Sequence, residues 1–282
     1  MSELQDVFKK AVLSLPPVKK LKTIINELQR KHDELQNKII DLSEAINKIN
    51  FELECIKNKI HPNDYLFRYI VDNPAVPDLN SAIDYYFNDG KKSAYMLKSL
   101  CEEAFLRPRV SLLEFASGYG RVTRNFDDNY FDVTACDIHN EAIDFISNSF
   151  NIKAVLSKTV PEEFDVENNF DVVFALSFFS HIPDETFGRW VNVLFKHVKQ
   201  GGLLIFTTHG RIANQQTVKI PLTDGYAFIP VSDQNDLSSS DYGTTMSEYS
   251  YVKRTCEKFI SKAPDIWKEG FWREQDLYII HK

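Results

Sequence analysis

The sequence is short of several things, and each shortage removes a class of protein. Its four cysteines, Cys55, Cys101, Cys136 and Cys256, lie far apart and form no Cys-x-x-Cys pair. That argues against a structural zinc site or a disulfide framework and fits a reducing compartment. No apolar run approaches the length of a membrane-spanning helix. The first residues include Glu3 and Asp6 and lack a long apolar core, so no secretory signal is expected. There is no excess of positive charge: 33 Lys and Arg stand against 40 Asp and Glu, a net charge of −7. A negative surface is a poor match to phosphate backbones, so nucleic acid is not expected as a partner. There is no low-complexity tract and no internal repeat outside one heptad segment. These shortages lead to the expectation of a soluble, cytoplasmic protein without a metal cluster.

What is present supports a folded enzyme-sized chain. The 282 residues are 43% hydrophobic and include 21 Phe and 12 Tyr, enough for a sizeable core in one large domain plus an appendage. The expected segments are a short helix at 1–17, a coiled coil at 18–61, a helical lead-in at 62–109 and a main domain at 110–282.

The coil rests on periodicity. Residues 1–15 read as a short amphipathic helix with Val7, Phe8, Val12 and Leu13, ended by Pro16-Pro17. Beyond it, Ile25, Ile39, Ile46, Leu53 and Ile60 occupy a positions, and Leu21, Leu28, Leu35, Leu42, Ile49 and Ile56 occupy d positions. Only His32 interrupts the stripe. Ile-rich a with Leu-rich d favours a parallel dimer, and Ile49 and Ile56 at d leave a trimer as the alternative. Self-association through residues 21–60 follows. The competing reading is a helix folded onto its own domain, but a strict two-position stripe is narrower than an ordinary core-packed face.

Residues 63–106 read as helical, with breaks at Asn73-Pro74 and Pro77, a turn at Asn88-Asp89-Gly90, and a second helix from Ser93 to Phe105. From Val110 onward strands and helices alternate. Strands are predicted near 110–115, 131–136, 152–156, 170–176 and 202–208, with Gly201-Gly202 as the turn before the last. Helices are predicted near 121–127, 140–149 and 184–198. That alternation means a parallel sheet covered on both faces. A helix from Ser247 to Lys262 follows, then two aromatic runs, Ile266 to Trp272 and Asp276 to His281. With turns at Glu269-Gly270 and Glu274-Gln275, they make a hairpin at the sheet edge. The long polar stretch Ser232 to Glu248 reads as a lid or binding loop.

The chemistry centres on Val110-Ser-Leu-Leu-Glu-Phe-Ala-Ser-Gly-Tyr-Gly-Arg121. A strand entering a small-residue turn and then a helix lets backbone amides approach a ligand. Glu114 sits at the strand end. Asp137, about twenty residues on, has the spacing to hold a ribose hydroxyl pair. The bland alternatives are a tight turn at Gly118 and Gly120, a helix-capping role for Asp137 and a core role for Cys136. Thr123 occupies the position where a nicotinamide-dinucleotide site wants a third small residue, which argues against an oxidoreductase.

Together, Leu113-Glu-Phe-Ala-Ser-Gly-Tyr-Gly, Val133-Thr-Ala-Cys-Asp137, Asn169-Phe-Asp-Val-Val-Phe-Ala-Leu-Ser177, Ser180-His-Ile-Pro and Lys199-Gln-Gly-Gly-Leu-Leu-Ile-Phe resemble the class I S-adenosylmethionine-dependent methyltransferases, over roughly 80–282. The resemblance implies an α/β fold with a Rossmann-like, mostly parallel seven-stranded sheet. It implies S-adenosyl-L-methionine as cofactor. Glu114, Ala116, Ser117, Gly118 and Gly120 would hold its methionine portion, Asp137 the ribose, Ile138 and Ser157 the adenine, and Leu176 and Ser177 the reacting end. Two departures stand out: Ala116 where the family has glycine, acceptable if its φ is negative, and Glu114 in place of Asp. No metal-ligand cluster of the catechol-methyltransferase kind appears, so metal-independent chemistry is expected.

Methyl transfer to a hydroxyl needs positioning and a base. His181 and His209 both follow strand ends, and each has a structural alternative. Tyr86, Arg211 and Tyr242 are candidate substrate residues, the two tyrosines with a core role as the alternative. Asp171, at a strand start, reads as structural. The stretches Gly-Tyr-Gly-Arg-Val-Thr-Arg, Phe-Phe-Ser-His-Ile-Pro, Phe-Thr-Thr-His-Gly, Asp-Tyr-Gly-Thr-Thr and Gln-Asp-Leu-Tyr are similar to methyltransferases associated with bacterial surface-polysaccharide synthesis. That similarity implies a glycan or small-molecule acceptor, with a glycosyltransferase as a partner for the coil. The alternative function is a non-catalytic assembly module whose Rossmann-like domain only senses cofactor.

Overall fold

Val110 to Phe115 is apolar towards both faces, which suits a strand at the centre of a covered sheet. The computed structural model describes residues 5, 7, 9–10, 16–216, 219–231, 234, 236–271 and 275–282. Its strands are β1 (Val110–Phe115), β2 (Phe131–Asp137), β3 (Lys153–Leu156), β4 (Phe170–Ala175), β5 (Val198–His209), β6 (Tyr226–Ile229), β7 (Thr244–Ser247), β8 (Asp265–Phe271) and β9 (Gln275–His281). Its helices are α1 (Pro16–Lys57), α2 (Tyr65–Asp72), α3 (Leu79–Ala104), α4 (Asn140–Phe150), α5 (Asp184–Lys196), α6 (Arg211–Gln216) and α7 (Tyr249–Ile260).

Seven strands form one sheet in the order β3-β2-β1-β4-β5-β9-β8. The first five are parallel, and β9 and β8 add an antiparallel hairpin to the edge. This is the Rossmann-like sheet that the alternation of strands and helices predicts. Because side chains alternate along a strand, β1 feeds two cores. Leu113 and Phe115 join Trp190, Val191 and Leu194 of α5 on one face. Val110 and Leu112 join Leu97 and Cys101 of α3 on the other. Asp171 anchors the opposite edge, accepting from the Ser111 amide at 2.8 Å and pairing with Arg107 at 2.8 Å.

The chain divides into two compact units, Met1–Asn58 and Lys59–Lys282. In the first, α1 is a single 42-residue helix. It begins at Pro16, where proline is at home because a first-turn residue needs no amide donor. The predicted helix at 1–15 lies largely outside the described residues, Phe8, Val12 and Leu13 among them. The apolar stripe from Leu21 to Ile56 is exposed, 59% at Leu35 and 62% at Leu42. Ile60 is a correction: the helix stops at Lys57, and Ile60 is a buried residue of the second unit. No helix among the described residues is long and apolar enough to cross a membrane.

Other expectations fail for local reasons. Asn88-Asp89-Gly90 is not a turn, for α3 runs unbroken from Leu79 to Ala104. Gly90 is there for closeness: a Cβ on it would stand 2.2 Å from the Arg121 carbonyl oxygen. The predicted helix at 121–127 shrinks to one 3-10 turn, Thr123–Asn125. Gly201-Gly202 lies inside β5, which already starts at Val198 and pairs irregularly with β4 near Phe170. Glu269-Gly270 is an irregularity within β8, and Gln275 opens β9 instead of turning. Part of the predicted loop at 232–248 is strand, since β7 pairs with β6.

The Gly90 contact yields a test of sign. In an open helix, Gly→Ala stabilises by about 1 kcal/mol. Here Gly90→Ala should destabilise by about 1–3 kcal/mol, the usual cost of overpacking, as measured by urea unfolding.

Candidate functional site

The C-terminal ends of β1, β2, β4 and β5 lie along one edge of the sheet, and strand order reverses between β1 and β4. That is where open α/β sheets bind ligands. Because β9 runs antiparallel, its first residue reaches the same edge, with Gln275 opposite His209.

The turn after β1 places every second residue in the left-handed region: Ala116 at φ 58°, Gly118 at 56° and Gly120 at 78°. Such alternation makes backbone amides converge. In this turn three of them are spent inside the protein. Ser117 donates its amide to the Cys136 carbonyl at 2.9 Å and Gly120 to the Ser117 carbonyl at 3.2 Å. Gly118 donates to Asp137 Oδ2 at 2.7 Å. Only the 3-10 turn Thr123–Asn125 follows this turn, so no long helix points its positive end at the edge.

What the edge presents is a pair of buried carboxyl groups. Glu114 is buried at the end of β1 and accepts the Thr123 hydroxyl at 2.5 Å. Burial pushes its carboxyl up to about 8, aided by the nearby Asp137 carboxylate. Asp137 is buried as well. Its Oδ1 accepts from the His139 amide at 3.1 Å and lies 2.8 Å from His139 Nδ1. On the far side of that ring, Asp236 of the long loop stands 3.1 Å from Nε2, a charge contact. The hydrogen bond to Asp137 is the main force raising the His139 pKa, with Asp236 adding to it. Asp137 therefore does not cap α4, whose N-cap residue is His139.

The rear of the turn is clamped. Arg124 donates to the Gly120 carbonyl at 2.9 Å, the Tyr119 carbonyl at 3.2 Å and the Lys59 carbonyl at 2.9 Å. Its guanidinium lies 4.5 Å from the Phe150 ring centre. His61 stacks on Tyr119 at 4.6 Å.

At the ends of β4 and β5 the groups are neutral. Ser177, at φ 62°, donates its amide to Thr207 Oγ1 at 2.8 Å. Gln275 donates to Ser177 Oγ at 2.6 Å and lies 3.3 Å from His209 Nε2. The His209 amide donates to Ser180 Oγ at 2.9 Å. Burial, with His181 adding to it, lowers the His209 pKa to about 4.

Comparison with known proteins agrees with this geometry. Residues 113–204 match the family model described as a methyltransferase domain. Over that stretch the chain is similar to a methyltransferase domain. A solved S-adenosylmethionine-dependent methyltransferase from Clostridium acetobutylicum superposes with a TM-score of 0.50 at 15% identity, covering 68% of this chain and 92% of that one. The glycopeptide N-methyltransferase MtfA gives 0.50 at 14%, covering 68% and 90%. At such identity the likeness is one of fold. No curated protein matches the chain by sequence.

Against this methyltransferase frame the candidate residues sort as follows. Glu114, Ala116, Ser117, Gly118, Gly120, Asp137 and Ile138 gather around the turn. Ser157 is buried, its amide donated to the Asp137 carbonyl at 2.7 Å. Leu176, half-buried, packs on the second core beside Ser177. His181 is tied down: its Nδ1 lies 2.9 Å from the Gly243 carbonyl oxygen, Gly243 donates its amide back at 2.6 Å, and Tyr242 stacks on the ring at 4.7 Å. Arg211 is exposed at the start of α6. Tyr86 is a correction. It is fully buried and donates its hydroxyl to Asp64 at 2.6 Å, so it belongs to the core and not to a pocket. Sequence reasoning missed Gln275, Thr207, Thr123 and His139. Only His139 carried a signal, a titratable residue two places after the strand-end acid.

Ala116 is also corrected, because its φ is positive where tolerance was expected to need a negative one. A left-handed non-glycine residue costs about 1–2 kcal/mol, and glycine's looser unfolded state gives back about 0.4–1. Ala116→Gly should therefore raise stability by roughly 0.5–1 kcal/mol, read as a higher urea midpoint with unchanged slope.

Proposed function

We propose that this domain binds S-adenosylmethionine over the ends of β1, β2 and β4 and passes its methyl group to a hydroxyl of a glycan or small polar acceptor. The observation that carries this is the pairing of two strand-end carboxyls with a turn in which the Ser117, Gly118 and Gly120 amides are already bonded. A pyrophosphate needs free amides or cations. A sulfonium, an ammonium and a ribose diol need carboxylates, and Glu114 and Asp137 supply them. The Clostridium acetobutylicum relative in fold is itself named as S-adenosylmethionine-dependent.

The donor supplies an activated methyl group for in-line displacement, and the residues bind, orient and take up a proton. Asp137, released by a small shift of Gly118, accepts both ribose hydroxyls. Glu114 faces the methionine ammonium. Ile138 and Ser157 flank the adenine. Ser177 and Leu176 bound the reacting end. His181 is committed to Gly243, so His209 is the histidine left to receive the acceptor's proton.

Glu114 makes the reading testable through pH. Its folded pKa, about 8, lies above the usual 4.5, so the folded protein holds a proton there that the unfolded chain has lost. Its contribution to stability is full below about pH 4.5 and fades as pH rises to about 8. A cation beside it favours the ionised form. Donor binding should release a proton below pH 8, and affinity should rise with pH up to about 8 and then level. Calorimetry in buffers of different ionisation enthalpy reads both. Glu114→Gln should abolish the proton release and weaken binding roughly 10–100-fold, the worth of a charged hydrogen bond. No binding of the donor or of S-adenosylhomocysteine at any pH defeats the proposal.

The exposed stripe on α1 supports self-association as a parallel coiled coil. Each Leu or Ile taken from water contributes roughly 1.5–3 kcal/mol when fully buried. Light scattering at micromolar concentration should give a dimer. Leu28→Cys should cross-link two copies on mild oxidation, since parallel in-register chains place equal d residues face to face. A monomer would overturn the coil, and a dimer that fails to cross-link would overturn its parallel sense.

A further inference from the structure

Gln275 has no role in the reading given above, yet it is 5% exposed and touches three groups at the reacting edge. The direction of each hydrogen bond can be worked out. The Ser177 amide can only donate, and it donates to Thr207 Oγ1 at 2.8 Å. The Thr207 hydroxyl then sends its own proton to Gln275 Oε1 at 2.5 Å. With its oxygen placed there, the other end of the Gln275 amide is the NH2 group, which can only donate. Its two contacts, Ser177 Oγ at 2.6 Å and His209 Nε2 at 3.3 Å, must both accept. A neutral histidine whose Nε2 accepts carries its proton on Nδ1. His209 Nδ1 is buried with no hydrogen-bond partner among the described residues, and Nε2 is the ring nitrogen that meets Gln275 beside Ser177.

We infer that Gln275 is a positioning residue: its amide holds His209 in the neutral Nδ1–H tautomer and so presents the Nε2 lone pair, beside Ser177, to the proton of an incoming hydroxyl. This rests on the methyl-transfer reading for its purpose, though not for its geometry. The acceptor oxygen bonds to the methyl carbon as the carbon–sulfur bond breaks, leaving a neutral thioether. The hydroxyl proton passes to Nε2. An oxygen that is gaining a methyl group becomes far more acidic than an alcohol, so a weakly basic histidine suffices. The imidazolium so formed faces the Gln275 NH2, donor against donor, and gives its proton up to water. The long 3.3 Å contact is the one an acceptor hydroxyl displaces, while the shorter bonds to Thr207 and Ser177 keep the amide in place. The other ionisable groups near His209 are His181, 6.1 Å away between ring centres, Asp276 next to Gln275 on β9, and Arg211 beyond Gly210. Gly210 keeps the Asp276 carboxylate close, since a Cβ there would lie 2.2 Å from Oδ2.

The test is nitrogen NMR of the full chain labelled at its seven histidines, with His209 assigned from His209→Asn. In the unaltered protein, Nε2 should show the shift of an unprotonated nitrogen and Nδ1 that of a protonated one, unchanged from pH 8 to 6. Gln275→Glu puts an acceptor in place of the donor. It should move the proton to Nε2, bring the titration above pH 6, and lower kcat at least tenfold with KM within threefold. Thr207→Val, which frees the amide to flip, should give a mixture of tautomers. A proton on Nε2 in the unaltered protein overturns the proposal without any variant. An unchanged His209 spectrum in a folded Gln275→Glu protein overturns it as well. Failure to bind S-adenosylmethionine would sink the methyl-transfer reading while leaving the spectrum as expected, so the two failures are distinguishable.

Discussion

The site depends on one hydrogen bond, from the Gly118 amide to the Asp137 carboxylate. It ties the end of β1 to the end of β2 and fixes which way the turn faces. A buried carboxylate must be hydrogen-bonded or it costs several kcal/mol. Asp137 meets this need with two amides and an imidazole, and the turn pays with left-handed backbone at three positions. Glycine accepts that conformation freely at two of them. Ala116 does not, and its strain survives because Ser117 and Gly118 on its far side are already bonded to β2. An anion-binding turn has thus taken an anion from its own sheet. The crevice keeps its shape while its lining turns from free amides to carboxyl groups.

Behind the turn the chain is overdetermined. Arg124 grips two carbonyls of the turn and that of Lys59, and Gly90 lets α3 press against the Arg121 carbonyl. These contacts do the work that a long helix after the turn would otherwise do. With only a 3-10 turn at Thr123–Asn125, the packing position is filled by Thr123, whose hydroxyl is bonded to Glu114. The residue that argued against a dinucleotide because it is not small therefore has a polar task of its own.

How much of this the sequence revealed follows from the range of the interactions. Strands buried on both faces are continuous apolar runs, and β1, β2 and β4 were legible to within a residue or so. The acids Glu114 and Asp137 were legible because a strand end is a local feature. Gly90 misled, because a glycine admitted for close approach looks the same in sequence as a glycine in a turn. Gln275 was invisible. Its neighbours Ser177, Thr207 and His209 are 98, 68 and 66 residues away, and only the antiparallel return of β9 brings it to the reacting edge. The helix under the apolar repeat was legible up to Ile56. Ile60 kept the spacing but lies past the helix end, where periodicity carries no information.

The two histidines show why residue type and position do not assign a role. His181 follows β4 and His209 ends β5 at the same edge, and their rings are 6.1 Å apart. His181 has a carbonyl at Nδ1 and a tyrosine stacked on its face, so its hydrogen bonding serves the loop around Gly243. His209 meets a primary amide whose orientation is set two bonds away by the Ser177 main chain. The acid–base character of the edge therefore originates in a backbone amide held at φ 62° and is passed through a threonine and a glutamine to an imidazole. Substituting any link of that chain changes the histidine without touching it. In sequence this constraint appears only as ordinary polar residues in three separate stretches, at 177, 207–209 and 275.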